Sequence, residues 1–244
     1  MPDRPSAGYV VEAPAIPSVA VEGTADRFPV RRIFCVGRNY AAHAREMGKD
    51  PDREPPFFFT KPADAVLDAG RDDGASIPYP PETENFHHEI ELTVAIGRGG
   101  TGIARDRALD HVYGYATSID LTRRDLQLQA RDKGRPWDWG KAFDRSAPLA
   151  PIRPNGTDGN DFDPTAGRIW LTVDGETRQD ADLSELIWPV RDVIAIVSRT
   201  MELKPGDLIM TGTPAGVGPI AVGQTVRGGI DGLADVALTI GPRR

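Results

Sequence analysis

The part of this chain that most constrains its fold and chemistry is residues 87–97, whose sequence is HHEIELTVAIG. Apolar and polar side chains alternate along it, and every second side chain of a β-strand points to the same face. The alternation predicts a strand whose apolar face is formed by Ile90, Leu92, Val94 and Ile96. The opposite face carries Glu89, Glu91 and Thr93.

Two carboxylates on one strand face, two residues apart, repel each other unless a positive charge lies between them. Magnesium and calcium ions prefer carboxylate oxygens, so Glu89 and Glu91 are candidate ligands of a divalent cation. The alternative is a strand with one face in solvent, where charged residues are ordinary. This segment alone leaves both interpretations open.

A further acidic candidate, Asp120, lies at the end of a second predicted strand. We predict that a helix begins next, with Thr122 as its N-cap and Asp125 three residues later. If the helical turn begins early, Asp120, Arg124 and Gln127 lie on one helix face at positions i, i+4 and i+7. The alternative makes Asp120 a second capping residue and Arg124 part of a surface ion pair.

A possible general base lies upstream. Residues 32–36 predict a strand, and residues 40–47 predict a short helix that ends at Gly48. His43 and Glu46 are three residues apart and are therefore neighbours on one face of that helix. A carboxylate beside an imidazole orients the ring and raises its basicity, as in a base that activates water. The alternative is an exposed histidine–glutamate pair.

The second half of the chain contains a hairpin and one long helix. The dipeptide Asp174–Gly175 is typical of a tight β-hairpin, and it lies between predicted strands at residues 169–173 and 176–178. Residues 190–201 predict the helix, which has an apolar stripe and begins after Pro189. Short strand-like segments follow at residues 208–210, 225–227 and 236–240. Many short strands and few helices predict an α+β fold that is mainly β, with mixed but mostly antiparallel pairing.

Composition argues against several classes of protein. The 244 residues carry a formal net charge of −7, whereas a nucleic-acid-binding or membrane-binding surface requires a basic patch. No segment approaches the roughly 18 consecutive apolar residues of a membrane span, and we expect no signal peptide. The single cysteine, Cys35, excludes an internal disulfide bond and fits a reducing compartment. We therefore expect a cytoplasmic protein in which Cys35 packs in a strand.

Taken together, these segments closely resemble the fumarylacetoacetate hydrolase family, and in particular its acylpyruvase and fumarylpyruvate hydrolase branch. The matching stretches cover the chain from about residue 31 to its end, in the order of the family. They are FCVGRNYAAHAREMG, PPFFFTKPADAV, HHEIELTVAIG, GYATSIDLTRRDLQ, GRPWDWGKAFDRSAPLAPI, LIWPVRDVIAIVSRTMELKPGDLIMTGTPAGVG and GGIDGLADVALTI.

The resemblance implies a fold and a metal site. The fold is a mixed β-sandwich roll like the C-terminal domain of the family, with short helices, in residues 31–244. Residues 1–30 are then an N-terminal extension. Glu89, Glu91 and Asp120 are implied to hold a Mg²⁺ or Mn²⁺ ion.

The resemblance also implies catalytic and substrate-binding roles. His43 and Glu46 are implied to activate water, and Lys141 to bind a substrate oxygen near the metal. Positions implied to contact substrate are Lys61, Arg124, Gln127 and Thr213, the last in a loop over the substrate carboxylate. A homodimer is implied as well.

The implied reaction is hydrolysis of a carbon–carbon bond in a small 2,4-dioxo acid. The stretch from Gly37 to Val66 is most similar to fumarylpyruvate hydrolases, which implies conversion of fumarylpyruvate to fumarate and pyruvate in aromatic compound catabolism. The second carboxylate of that substrate needs a cation, for which Arg38, Arg123 and Arg135 are candidates. Arg38 is the first choice because it precedes His43 at the strand-to-helix break.

Three alternatives stay open. An acylpyruvase would use the same site on a different tail. An oxaloacetate decarboxylase or a 2-hydroxymuconate-type isomerase would use the metal without hydrolytic attack. A non-catalytic metal-binding protein would need neither His43 nor Glu46, and the presence of both argues against it.

Overall fold

The computed structural model describes residues 8–42, 55–70, 74–159 and 161–243. Its strands, in chain order, are β1 (Ser18–Ala20), β2 (Arg27–Pro29), β3 (Arg32–Gly37), β4 (Phe57–Lys61), β5 (Val66–Asp68), β6 (Ala75–Pro78), β7 (Phe86–His88), β8 (Ile90–Ile96), β9 (Val112–Ile119), β10 (Thr122–Arg123), β11 (Ala147–Leu149), β12 (Arg153–Pro154), β13 (Arg168–Val173), β14 (Glu176–Asp182), β15 (Asp207–Met210), β16 (Gly218–Pro219), β17 (Thr225–Ile230) and β18 (Val236–Gly241). The α-helices are α1 (Arg124–Asp132), α2 (Asp138–Lys141) and α3 (Val190–Thr200). Short 3₁₀ helices lie at Ala63–Ala65, Arg105–His111, Thr157–Gly159 and Leu183–Glu185.

The strands form two large sheets and two small ones. The larger sheet has eight strands, in the order β4-β3-β15-β8-β9-β11-β5, with β12 beside β9. A five-stranded sheet has the order β14-β13-β17-β18-β6. The small sheets are β10-β7-β16 and β1-β2. Most pairs are antiparallel, and β15–β3, β11–β5 and β18–β6 are parallel. The prediction of a mainly β fold with short helices is confirmed.

Apolar clusters cover both faces of the eight-stranded sheet, which explains its strand sequences. The stripe formed by Ile90, Leu92, Val94 and Ile96 lies in the cluster that also contains residues of the five-stranded sheet. Ala95 belongs to a second cluster on the other face. The two sheets approach so closely that a Cβ atom on Gly228 would lie 2.5 Å from Ile90 Cδ1.

The polar face of β8 is buried as well as the apolar face. Glu91 is 2% exposed and Thr93 is fully buried. The solvent-facing interpretation of this strand was therefore wrong, because tertiary packing on the second face covers side chains whose polarity alone suggested solvent. Cys35 is also fully buried in β3, as predicted.

The second half of the chain matches its predicted elements. β13 and β14 form an antiparallel hairpin in which Val173 pairs with Glu176. Asp174 and Gly175 have φ values of 51° and 83°, the left-handed values that a tight hairpin turn needs. The long helix α3 begins directly after Pro189, as predicted, and ends one residue earlier than predicted.

One local prediction was wrong. Thr122 does not cap a helix, because it pairs with His87 in the short strand β10, and α1 begins two residues later. The predicted helix at residues 40–47 lies mostly outside the described residues.

The N-terminal segment packs on the eight-stranded sheet. Val19, Val21, Phe28 and Val30 are buried in the same cluster as Cys35 and Met210. Val21 also forms a parallel bridge with Ile152. In the part of the chain that the structure describes, no helix combines the length and apolar character needed to cross a membrane.

Candidate functional site

Strand register brings the predicted acidic residues together. β8 and β9 are antiparallel, and Ile90 at the start of β8 pairs with Ile119 at the end of β9. The residue before β8, Glu89, therefore lies opposite the residue after β9, Asp120, whose backbone N–H donates to Glu89 O over 2.8 Å. Segments far apart in sequence thus meet at one end of this strand pair.

The three carboxylates form a compact buried cluster. Glu89, Glu91 and Asp120 each offer an oxygen, and these oxygens lie within 4.8 Å of one another. Their side chains belong to residues that are at most 4% exposed. Three hard oxygen donors around one point match the preference of Mg²⁺ and Mn²⁺. Asp120 Oδ1 is ion-paired with Lys61 Nζ over 2.9 Å and has no further partner within the described residues, so this oxygen retains a lone pair for a metal ion.

Three buried cations surround the carboxylates. Lys141 Nζ donates to Glu89 Oε2 over 2.8 Å and to Asp120 Oδ2 over 2.6 Å. Arg124 pairs closely with Glu89. Lys61 pairs with Asp120 and also contacts the backbone oxygen of Lys141. Among the described residues that pair in this cluster, the formal charges of the three acids and the three bases therefore balance before any metal ion is added.

Burial and mutual repulsion perturb the protonation of the cluster. Burial, followed by the charges of Asp120 and Glu89, raises the pKa of Glu91 well above its ordinary value. Burial lowers the pKa of Lys141, but the charges of Asp120 and Glu89 outweigh it, so that pKa is raised overall. Lys141 is thus a charged donor, and Glu91 would be relieved of its unfavourable environment by a bound cation. These residues fit a divalent metal ion.

The loop after β15 holds Glu91 from the other side. β15 pairs with β8, with Met210 opposite Thr93, so the next residues run alongside Glu91. Gly212 N–H donates to Glu91 Oε2 over 2.7 Å. Gly212 has a φ of 99°, and a Cβ atom there would lie 2.7 Å from Asn39 Cβ. Only glycine fits this close approach in that backbone conformation.

The carboxylate cluster lies at the bottom of a narrow cleft. Residues that line the cleft are Val36, Gly37, Arg38, Phe59, Glu89, Glu91, Asp120, Arg124, Gln127, Trp137, Lys141 and Thr213. A neighbouring cavity of about 480 Å³ shares Arg38, Phe59, Trp137 and Lys141 with the cleft and adds Arg135. The Trp137 ring stacks edge-on against Phe57, with centroids 5.2 Å apart. A carboxylate centre that fits a metal ion thus adjoins a partly aromatic chamber with two arginines.

Arg38, which lines both the cleft and the chamber, has an unusual backbone conformation. It directly follows β3 and has a φ of 56°, in the left-handed region that few non-glycine residues adopt. Its guanidinium carbon lies 5.1 Å from the centroid of the Phe57 ring. The chain therefore turns at Arg38 as it leaves β3, and this turn lies beside the chamber.

Of the other predicted substrate-binding residues, some line the cleft and others do not. Arg124 and Gln127 line the cleft, and Arg124 Nη1 donates to Gln127 Oε1. Lys61 is buried, and its ammonium group contacts Asp120 Oδ1 and the backbone oxygen of Leu121. Arg123 lies over the Phe143 ring and lines two other cavities, away from the carboxylates. His43 and Glu46 lie outside the described residues.

Sequence analysis missed two buried amides beside the site. Asn39 Nδ2 donates to Thr211 O over 2.7 Å and so holds the loop that contains Gly212. Gln179 on β14 donates from Nε2 to Thr213 Oγ1 over 2.8 Å. The sequence contains a signal for Gln179, because this uncharged residue lies between the charged residues Arg178 and Asp180. In the structure Gln179 is buried and its two neighbours are exposed.

Comparisons with known proteins find one matching family model and relatives that align with most of this chain. A family model described as fumarylacetoacetate (FAA) hydrolase C-terminal matches residues 32–240. A fumarylpyruvate hydrolase from Ralstonia sp. is 43% identical over 198 residues, 80% of this chain and 99% of the relative. A mitochondrial oxaloacetate tautomerase from Arabidopsis thaliana is 39% identical over 209 residues, 86% of this chain and 90% of the relative. The crystal structure of a fumarylpyruvate hydrolase from Pseudomonas aeruginosa, with Mn²⁺ and pyruvate, is 50% identical with a TM-score of 0.92, covering 96% of this chain and 100% of that chain.

Proposed function

The chain belongs to the fumarylacetoacetate hydrolase family, and we propose that it hydrolyses fumarylpyruvate to fumarate and pyruvate with a bound divalent metal ion. The observation that carries the proposal is the buried cluster of Glu89, Glu91 and Asp120 beside Lys141, next to a chamber lined by arginines. Relatives named for this reaction support the choice of substrate.

In this proposal Glu89, Glu91 and Asp120 hold Mg²⁺ or Mn²⁺. The ion, when bound, supplies a Lewis acid that polarises the 2-oxo acid end of the substrate. Because the protein charges of the cluster already balance, a dication leaves two positive charges in excess in a buried site. A 2-oxo acid in its enolate form carries two negative charges and would restore neutrality, which favours this class of ligand.

Lys141 would stabilise the leaving group. Its ammonium group is buried and lines the cleft, so its positive charge would stabilise an oxygen that gains negative charge during cleavage. Water adds to the distal carbonyl, the bond between that carbon and the pyruvyl methylene breaks, and the electron pair leaves as pyruvate enolate. A proton on the methylene carbon then completes pyruvate.

The base that accepts the proton of water would be His43, oriented by Glu46. This assignment is supported by the family resemblance alone, since both residues lie outside the described part of the chain. The imidazolium formed in this step is a suitable acid for returning a proton to the product. Lys61 would act behind the metal site, by holding Asp120.

The distal carboxylate of fumarylpyruvate would be bound by Arg38 or Arg135. Both line the chamber that adjoins the metal site, and Arg123 does not. Phe59 and Trp137 line both the cleft and the chamber. Their rings would reduce the water around the reacting carbonyl, which strengthens the interaction of Lys141 with developing charge.

A second candidate function is the interconversion of the keto and enol forms of oxaloacetate, because the Arabidopsis relative carries that name. That reaction needs a metal ion and a proton carrier but no attacking water. Decarboxylation of oxaloacetate and hydrolysis of simpler acylpyruvates would use the same groups.

Product analysis tests the proposal. The purified protein is incubated separately with fumarylpyruvate, acetylpyruvate and oxaloacetate, each with Mn²⁺, with Mg²⁺ and with a chelator. We expect fumarate and pyruvate from fumarylpyruvate when Mn²⁺ or Mg²⁺ is present, and no products when the chelator is present. Enol–keto conversion of oxaloacetate without cleavage of either acylpyruvate would contradict hydrolysis and support the second candidate.

The proposal includes an assembly and a location. The family resemblance supports a homodimer in the cytoplasm whose catalytic domain is residues 31–244, within a route of aromatic compound catabolism. Light scattering after size-exclusion chromatography tests the dimer, and a mass equal to one chain would contradict it.

A further inference from the structure

Gln179 links the five-stranded sheet to the candidate metal site. It lies on β14, pairs with Leu171 on β13, and is 1% exposed. Its side-chain amide contacts the β7–β8 segment on one side and the loop after β15 on the other. These two segments carry Glu89 and Thr213, which line the same cleft.

The orientation of the Gln179 amide is fixed by a backbone group. Ile90 N–H lies 3.1 Å from Gln179 Oε1. A backbone N–H can only donate, so the atom facing it must be the amide oxygen. His88 Nδ1 lies 3.0 Å from the same oxygen and must therefore donate as well. Both acceptor sites of the oxygen are used.

This orientation determines the direction of the Thr213 hydroxyl. The amide nitrogen of Gln179 donates to Pro214 O over 2.9 Å and to Thr213 Oγ1 over 2.8 Å. Thr213 Oγ1 is thus an acceptor in this contact, and its own hydrogen must point elsewhere. Within the described residues, that hydrogen has no protein acceptor. Because Thr213 lines the cleft, the cleft is where a partner can be found.

We propose that Gln179 is a positioning residue that holds the Thr213 hydroxyl as a hydrogen-bond donor toward the carboxylate of a metal-bound 2-oxo acid. The inference rests on the proposed function, since it assigns the polarity of one contact in that site. A carboxylate oxygen accepts only, and so it matches a hydroxyl whose hydrogen is not used in the contact with Gln179. Gln179 itself does not touch the substrate.

Pyruvate affinity of the Mn²⁺-loaded protein, measured by calorimetry, tests the inference without reliance on turnover. Thr213→Val removes the hydroxyl at nearly constant volume, and we expect it to weaken pyruvate binding roughly 10- to 100-fold, the usual worth of a hydrogen bond to a charged group. Thr213→Ser keeps the hydroxyl and should stay within about threefold of the parent. Thr177→Val, on the exposed side of β14, is the matched control and should bind as the parent does.

A double-mutant cycle separates positioning from general stability. Gln179→Met removes the amide and should lower the melting temperature, because Ile90 N–H and His88 lose their acceptor. It should also weaken pyruvate binding, but the double variant Gln179→Met/Thr213→Val should bind about as Thr213→Val alone. A double variant whose loss equals the product of the two single losses would show that Gln179 does not act through Thr213.

Even if Gln179→Met does not fold, the threonine variants test the contact through which Gln179 is proposed to act. Parental affinity in Thr213→Val overturns this inference alone and leaves the proposed function intact. A parent protein that binds no pyruvate with Mn²⁺ overturns both. Weak binding by Thr213→Val together with parental binding by Thr213→Ser supports the hydroxyl as the donor.

Discussion

Replacing Glu91 with glutamine separates the metal-binding role of this residue from its structural role. The substitution keeps the size of the side chain. In the parent, Gly212 N–H donates to Glu91 Oε2 over 2.7 Å, and the amide oxygen of glutamine can still accept this hydrogen bond. It removes one negative charge from a cluster whose ligand oxygens lie within 4.8 Å of one another. The change is therefore almost purely electrostatic.

The magnitude follows from the geometry. At about 4 Å and an effective dielectric constant of about 20, two unit charges interact by about 4 kcal/mol. A dication doubles this energy to about 8 kcal/mol. The amide oxygen that remains and the relief of burial and repulsion at Glu91 should offset at least half of it, which leaves about 3 to 4 kcal/mol, or roughly 100- to 1000-fold in affinity. We expect Mn²⁺ affinity to fall roughly 100- to 1000-fold, with a comparable loss of kcat/KM at limiting metal.

In the metal-free protein, Glu91→Gln should not lower thermal stability. Burial and the charges of Asp120 and Glu89 raise the pKa of Glu91, so its ionised form is unfavourable there. Removal of that charge relieves repulsion, and we expect Glu91→Gln to melt at or above the parent temperature when a chelator is present.

Titration calorimetry with Mn²⁺ and thermal melts with and without chelator measure both effects. Glu176→Gln, an exposed substitution on β14, is the matched control and should leave both unchanged. Parental Mn²⁺ affinity and parental turnover in Glu91→Gln would refute the assignment of Glu91 as a ligand. A large loss of stability in chelator would refute the electrostatic account of the cluster.

Three further predictions concern the base, the distal substrate end and the pH dependence of metal binding. His43→Ala should slow fumarylpyruvate cleavage by about 10²- to 10⁴-fold while Mn²⁺ affinity is retained, and cleavage at the parental rate would rule out this base. The parent should prefer fumarylpyruvate to acetylpyruvate, and Arg38→Met should reduce that ratio of kcat/KM values by roughly tenfold to a hundredfold. An unchanged ratio would exclude Arg38 and direct attention to Arg135, whereas equal use of both substrates by the parent would argue against fumarylpyruvate. Because the raised pKa of Glu91 means that this carboxyl keeps its proton to higher pH without metal, Mn²⁺ binding should release up to about one proton and tighten as pH rises. Calorimetry in two buffers of different ionisation enthalpy checks this, and equal heats in both would contradict it.

Local periodicity was enough to predict the strand that carries Glu91. Alternation along residues 90–96 predicts β8 and its apolar face, and the Asp174–Gly175 turn predicts the hairpin of β13 and β14. These features depend on interactions between near neighbours. The burial of the opposite face of β8 does not, since it depends on segments that pack on the sheet from elsewhere in the chain.

The partners of the site residues were harder to predict for the same reason. Thr122 has the chemistry of a helix cap, but pairing with His87 in β10 overrides that preference and leaves its hydroxyl as an acceptor for Lys141 Nζ. Asn39 lies in the turn after β3 and Gln179 lies on β14, and no local pattern specifies that either side chain reaches the site. Motif resemblance supplied the candidate ligands, while the hydrogen bonds around them required the three-dimensional arrangement.

The parallel pairing of β15 with β3 has a consequence for how the protein folds and unfolds. Met210 lies beside Cys35, although 174 residues separate them in sequence, so the loop that holds Glu91 is fixed only when a very long chain segment has closed. Closure of such a segment is costly in entropy and slow. The complete ligand set is therefore absent from early folding species, and Mn²⁺ should slow unfolding while leaving the refolding rate nearly unchanged. Resistance to proteolysis should consequently depend on metal supply after the chain has folded, rather than during its synthesis.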